Sequence, residues 1–123
     1  SPPMNVRSHK DPKVWNESMD LIETIYFISK DFPKEEIYGL TSQMRRCAVS
    51  IPYDIAEGAG RKGSKEFERF LYIAMGSLSE LETQFEISIR LKFVPEEIQT
   101  EVIFDKIIYI RRMLSKLIKS LVL

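Results

Sequence analysis

The sequence offers almost no redox or metal chemistry. Its 123 residues include one cysteine, Cys47, and one histidine, His9. A lone cysteine can neither close an intrachain disulfide nor build a CxxC metal or redox motif, and a reducing cytoplasm is the expected setting. Five glycines and six prolines are too few for a loop-rich or fibrous chain. Neither charge is in excess. With 18 Lys+Arg against 18 Asp+Glu the formal net charge is zero, which excludes a general polyanion binder but not a local basic patch. The longest apolar run, Phe70 to Met75, falls far short of the roughly 20 residues that span a bilayer. Strand-type alternation, low-complexity segments and internal repeats are also missing. No secretory leader is expected at the start of the chain. Ser1-Pro2-Pro3 ahead of Met4 is expected to be a cloning remnant, with residues 1–11 a flexible tail.

What remains is 44% apolar and 29% charged, the composition of one globular domain. The apolar residues follow helical spacing throughout. Asp11 reads as an N-cap with Pro12 at the first helical position. Trp15, Met19, Ile22 and Tyr26, flanked by Leu21, Ile25 and Ile28, then give a wide apolar face that ends near Lys30. Asp31-Phe32-Pro33 breaks this helix, and Gly39 punctuates a short turn. Leu40, Met44, Cys47/Ala48, Ile51 and Ile55 mark a second helix over about 41–57. Pro52 lies inside it and should kink it without breaking the periodicity. Gly58, Gly60 and Gly63 stop it. Ser64 is the expected cap of a third helix running to about Lys92, with Phe67, Leu71, Ala74, Leu78, Leu81 and Phe85 as its core stripe. Pro95 is expected to start a fourth, carrying Ile103, Ile107, Ile110, Leu114, Leu117 and Leu121. Glu96, Glu97, Glu101 and Asp105 precede Lys106, Arg111, Arg112, Lys116 and Lys119, an order that complements the helix dipole.

The predicted architecture is all-α: an antiparallel up-and-down, left-handed four-helix bundle over 12–123. The third and fourth helices are expected to exceed the first by about ten residues, roughly 15 Å. The fourth also carries a second apolar edge of Phe104, Ile108, Ile118 and Val122. That is more apolar surface than one slim bundle needs, so self-association is expected.

The middle of the chain carries an ordered string of motifs: Tyr38-Gly39-Leu40-Thr41-Ser42-Gln43, Arg45-Arg46, Ser50-Ile51-Pro52, then Ile55-Ala56-Glu57-Gly58 with Arg61. Phe70-Leu71, Gly76-Ser77-Leu78 and Glu80-Leu81-Glu82-Thr83-Gln84 continue it, and Trp15 and Phe32-Pro33-Lys34-Glu35-Glu36 precede it. Over about 100 residues this resembles the 23S rRNA intervening-sequence protein family, also called the four-helix bundle protein family. Members commonly carry Ser-Asn where this chain has Tyr53-Asp54. The resemblance implies a bacterial, ring-like homopentamer without established enzymatic activity. It also implies a link to insertions in large-subunit ribosomal RNA genes. Some members carry a ribosomal-protein label, and similar bundles serve as accessory proteins of diversity-generating retroelements.

Three constellations bear on chemistry. Gln43, Arg46, Ser50, Asp54 and Glu57 form a polar stripe on the second helix, and Ser77, Glu80 and Gln84 form another on the third. They read first as a hydrogen-bonded structural seam that fixes helix register or a subunit interface, and second as a solvated face. With no accompanying nucleophile or histidine they do not read as catalytic carboxylates. Gly58 to Gly63 satisfies G-x-G-x-x-G but follows a helix, where a dinucleotide fingerprint must follow a strand. It reads as a helix stop and connector. The sharper alternative is an anion site for RNA phosphate at the opening of the third helix, with Arg61, Lys62 and Lys65. Arg45, Arg46 and Arg69 could extend that basic patch. Metal and cofactor sites are not expected: bundle di-iron centres need Glu-x-x-His pairs, and His9 lies in the tail. Cys47 is expected to be a small buried hydrophobe.

The sequence therefore predicts a cytoplasmic, non-enzymatic homo-oligomer, a pentamer by resemblance, that binds RNA or a nucleic-acid-processing protein. A protein-interaction or assembly scaffold without nucleic-acid contact is the alternative.

Overall fold

The structure, a computed structural model, describes residues 12–121. The expected tail, the Asp11 cap, His9 and Val122 lie outside the described residues. Four α-helices make up the fold: α1 (Pro12–Ser29), α2 (Leu40–Ala59), α3 (Ser64–Arg90) and α4 (Thr100–Leu121). A short 3-10 turn, Lys34–Glu36, lies between α1 and α2. No strand occurs among the described residues. None of these helices is long and apolar enough to cross a membrane.

Each helix packs against two neighbours, α1 on α2 and α4, and α3 on α2 and α4. Their shared interior holds Leu21, Ile25, Met44, Ile51, Leu71, Leu78, Phe85, Ile107 and Ile110, all essentially without solvent contact. The helices are held in register by a few polar ties. Arg45 Nε donates to Ser29 Oγ at 2.9 Å across α1 and α2. Arg111 Nη2 meets Glu82 Oε1 at 2.6 Å across α4 and α3, and Lys106 pairs with Glu17 across α4 and α1. Phe85 and Phe104 rings pack at 5.1 Å.

In α2, α3 and α4 the predicted stripes form the buried faces, except that Leu40, Cys47 and Leu121 are only half-buried. Pro52 is buried inside α2, which continues through it to Ala59.

Four expectations need correction. First, α1 turns a different stripe inward. Val14, Leu21, Ile25 and Ile28 are buried, whereas Met19 is 38% and Tyr26 43% exposed, and Trp15 and Ile22 are half-buried. The apolar face of α1 is wider than its neighbours can cover, so packing selects one edge of it.

Second, Ser64 is the first residue of α3, not its cap. The boundary residue is Gly63 at φ 89°, with no side-chain capping bond. A positive φ is open to glycine and costly for serine.

Third, α4 starts at Thr100, not Pro95. Lys92 adopts φ 64°, and the Phe93 amide donates to the Ser88 carbonyl at 2.9 Å. This closes α3 and sends Phe93 against Phe32, ring to ring at 5.7 Å. The Pro95 carbonyl is then taken by the Ile98 amide at 3.1 Å in a separate turn.

Fourth, α4 has 22 residues against 18 in α1, so only α3, with 27, has the expected excess.

Candidate functional site

Two polar surfaces form where α2 and α3 meet. The first is a groove of about 340 Å³ lined by Gln43, Arg46, Cys47, Ser50, Ser77, Glu80 and Gln84. It arises because both polar stripes flank the buried ones at helical spacing, so packing α2 on α3 brings their edges together. Asp54 and Glu57 lie on the same stripe but outside this lining.

Cys47 departs from its expected role. It packs partly against the core but also lines the groove, and its Sγ donates to Glu80 Oε1 at 3.4 Å. Burial, then the hydrogen bond and negative charge of Glu80, push the thiol up to about 11. It is therefore a protonated thiol at neutral pH. Ser50 Oγ donates to the Cys47 carbonyl at 2.7 Å, which leaves the serine lone pairs free to accept. Gln84 Oε1 is enclosed and has no hydrogen-bond partner. Asp54 is half-buried, and burial followed by the neighbouring Glu57 charge raises its pKa.

The second surface is the turn between α2 and α3. Arg61, Lys62 and Lys65 are exposed there, with Arg69 one turn into α3. The arginines are organised around one ring: Arg61 lies 5.1 Å and Arg69 4.7 Å from the Phe70 centroid. Each also has an acid partner, Arg61 with Glu57 at 2.9 Å and Arg69 with Glu66 at 3.4 Å. The turn can sit tightly against α3 because Gly58 is buried against Phe67 and Phe70.

The six predicted basic residues do not form one patch. Arg61, Lys62, Lys65 and Arg69 cluster at the turn. Arg46 lies in the groove. Arg45 faces α1, over the Tyr26 ring at 4.6 Å, about 21 Å by helical rise from the end of α2 at Ala59, beyond which Arg61 lies. Helical spacing could have separated Arg45 from Arg46, which point about 100° apart. Phe70 and Cys47 are site residues that the sequence pattern does not single out. Phe70 sits beside the buried stripe, and its place between two arginines depends on how the turn folds back. Among the described residues, no group of His, Cys, Asp and Glu is arranged to hold a metal ion.

These features define a helical protein of the all-α class, with four helices and two polar surfaces at one helix pair. The model of the 23S rRNA-intervening sequence protein family matches residues 10–116, and the chain belongs to that family. No curated protein matches the chain.

Proposed function

We propose that this protein is a non-enzymatic, cytoplasmic homo-oligomer, a pentamer as the family resemblance implies, that binds RNA through the basic turn between α2 and α3. The carrying observation is the cluster of Arg61, Lys62, Lys65 and Arg69, with both arginines held over Phe70. Cation–π contact and acid partners fix the guanidinium groups in place, and each keeps donors free for a phosphate. The family is named for intervening sequences of 23S rRNA, which agrees with a bacterial RNA partner.

Assembly is supported by the outer edge of α1. Trp15, Met19, Ile22 and Tyr26 share it, and Phe27 at 59% and Tyr53 at 65% add exposed apolar surface. Within each subunit we read the helices as antiparallel, up-and-down and left-handed. Contacts of Met44 with Ser88, Cys47 with Glu80, and Gly58 with Phe67 support the antiparallel course of α2 and α3. A ring would repeat the basic turn, and multivalency could lift weak binding substantially.

Structured RNA titrated at low and moderate salt tests this reading. Binding is expected. Arg61→Ala or Lys62→Ala each removes one phosphate-neutralising charge and should lower the salt slope by about one. Sedimentation gives the mass of the particle.

The neutral net charge and the pairing of Arg61 and Arg69 with acids favour a second reading, an interaction scaffold that binds a nucleic-acid-processing protein or other protein partner and does not touch nucleic acid. Absence of RNA binding even at low salt would select it.

A further inference from the structure

The groove between α2 and α3 holds two opposite charges, Arg46 and Glu80, both solvent-exposed and neither in an ion pair among the described residues. Arg46 makes no ion pair among the described residues. Among the described residues, Glu80 accepts only the weak thiol bond from Cys47. Both line the same groove, yet no nitrogen of Arg46 comes within 4.0 Å of a Glu80 oxygen. Arg61–Glu57, Arg69–Glu66 and Arg90–Glu86, by contrast, do form ion pairs.

We propose that the α2–α3 groove binds a small zwitterion of the α-amino-acid class, with its ammonium on Glu80 and its carboxylate on Arg46. The volume, about 340 Å³, lies at the lower end of the roughly 300–1,000 Å³ of small-molecule sites. The rest of the lining selects among zwitterions. Gln43, Gln84, Ser50 and Ser77 offer both donors and acceptors, which suits a neutral amide side chain better than an apolar or charged one. Other ligand classes fit less well. No aromatic residue lines the groove, so a nucleobase would find no stacking partner. A phosphate would face the Glu80 carboxylate, and Cys47 and Glu80 alone are too few ligands for a metal ion. This site is separate from the basic turn, and it stands or falls independently of RNA binding.

The test uses the full chain and L-glutamine as probe, followed by amide NMR spectra and calorimetry. L-Glutamine is expected to shift the amides of Ser50, Ser77 and Glu80. N-acetyl-L-glutamine lacks the ammonium and L-glutaminamide lacks the carboxylate; each is expected to bind about tenfold or more weaker, as removal of one charged hydrogen-bonding group dictates. Glu80→Gln and Arg46→Gln should each weaken L-glutamine by a similar factor, with Lys119→Ala, exposed on α4 away from the groove, unchanged. A thermal melt of each variant establishes folding. Arg46 is exposed, so its variant carries the test if Glu80→Gln unfolds. No response to L-glutamine would overturn the proposal, as would equal binding of the three compounds. So would a concentration-dependent dimer lost in Glu80→Gln without any response to L-glutamine, which would mean that a second copy occupies the groove.

Discussion

Gly58 and Phe70 meet where α2 ends and α3 begins: a Cβ built on Gly58 would stand 2.7 Å from Phe70 Cβ and 3.0 Å from Phe67 Cδ1. Two effects oppose each other in Gly58→Ala. Alanine relieves the helix penalty of glycine, about 1 kcal/mol. The new methyl meets another Cβ, which cannot rotate away, and overpacking of this kind costs about 1–3 kcal/mol. A net loss of stability is expected in urea unfolding, together with loosening of Arg61 and Arg69 around Phe70. A variant more stable than the parent would show that the two helices part at no cost.

Lys92 turns the chain out of α3 in a conformation that suits glycine. Its φ is 64°, while its amide donates to the Ile89 carbonyl at 3.0 Å and the Phe93 amide to Ser88 at 2.9 Å. This is the double hydrogen bond of a Schellman end, with lysine where glycine is usual. The left-handed conformation costs an L-residue about 1–2 kcal/mol, part of which glycine returns as entropy of the unfolded chain. Lys92→Gly should therefore stabilise by roughly 0.5–1 kcal/mol, seen as a higher Tm. Arg90→Gly, inside the helix, should lower it.

The Cys47 thiol should react slowly. With the thiol pushed up to about 11 from 9.0, iodoacetamide at pH 9 should alkylate the folded protein about tenfold or more slower than the chain in urea, because the thiolate is the nucleophile. Glu80→Gln removes the negative charge and replaces the carboxylate with a weaker, neutral acceptor, and should speed the folded reaction. The same shift has a sign for stability. The folded state holds this proton more tightly, so the contribution is complete below pH 9 and is lost as pH rises toward 11. Cys47→Ser should flatten that part of the stability profile, and an unchanged alkaline profile would contradict the assignment.

Asp54 carries its charge at a cost. Burial and the Glu57 charge raise its pKa, so the folded state favours the protonated acid. Its stabilising contribution is complete at acid pH, below the ordinary carboxylate pKa, and is lost as pH rises through the raised value. Asp54→Asn should therefore melt higher than the parent at neutral pH. The advantage should shrink as the solution is acidified through the carboxylate range. Paired melts at neutral and acid pH check both statements.

Most of the fold is legible in the sequence because in α2, α3 and α4 one row of apolar residues keeps helical spacing along the element, and that row forms most of the buried face. In α3 that row is Phe67, Leu71, Ala74, Leu78, Leu81 and Phe85, all buried. In α1 the apolar arc is wide enough for two stripes. Periodicity marks the helix there but cannot say whether Leu21 or Ile22 turns inward. The start of α4 escapes the pattern for a related reason. Pro95 fits a first helical position, but the Lys92 reversal and the packing of Phe93 on Phe32 claim the residues around it. The polar stripes are legible as stripes. Their meeting in a groove is not, because that depends on the rotation of α2 against α3.

The order of polar and apolar side chains thus determined that this chain forms four helices, where most of them lie and which face three of them bury, because helical geometry converts spacing directly into direction. Only the tertiary structure decided which edge of α1 stays outside, that Arg61 and Arg69 both lie over the Phe70 ring, and that Arg46 and Glu80 line one groove without forming an ion pair. Those outcomes depend on the rotation and approach of whole helices, which are set by close packing such as Gly58 on Phe70 and not by any local run of residues.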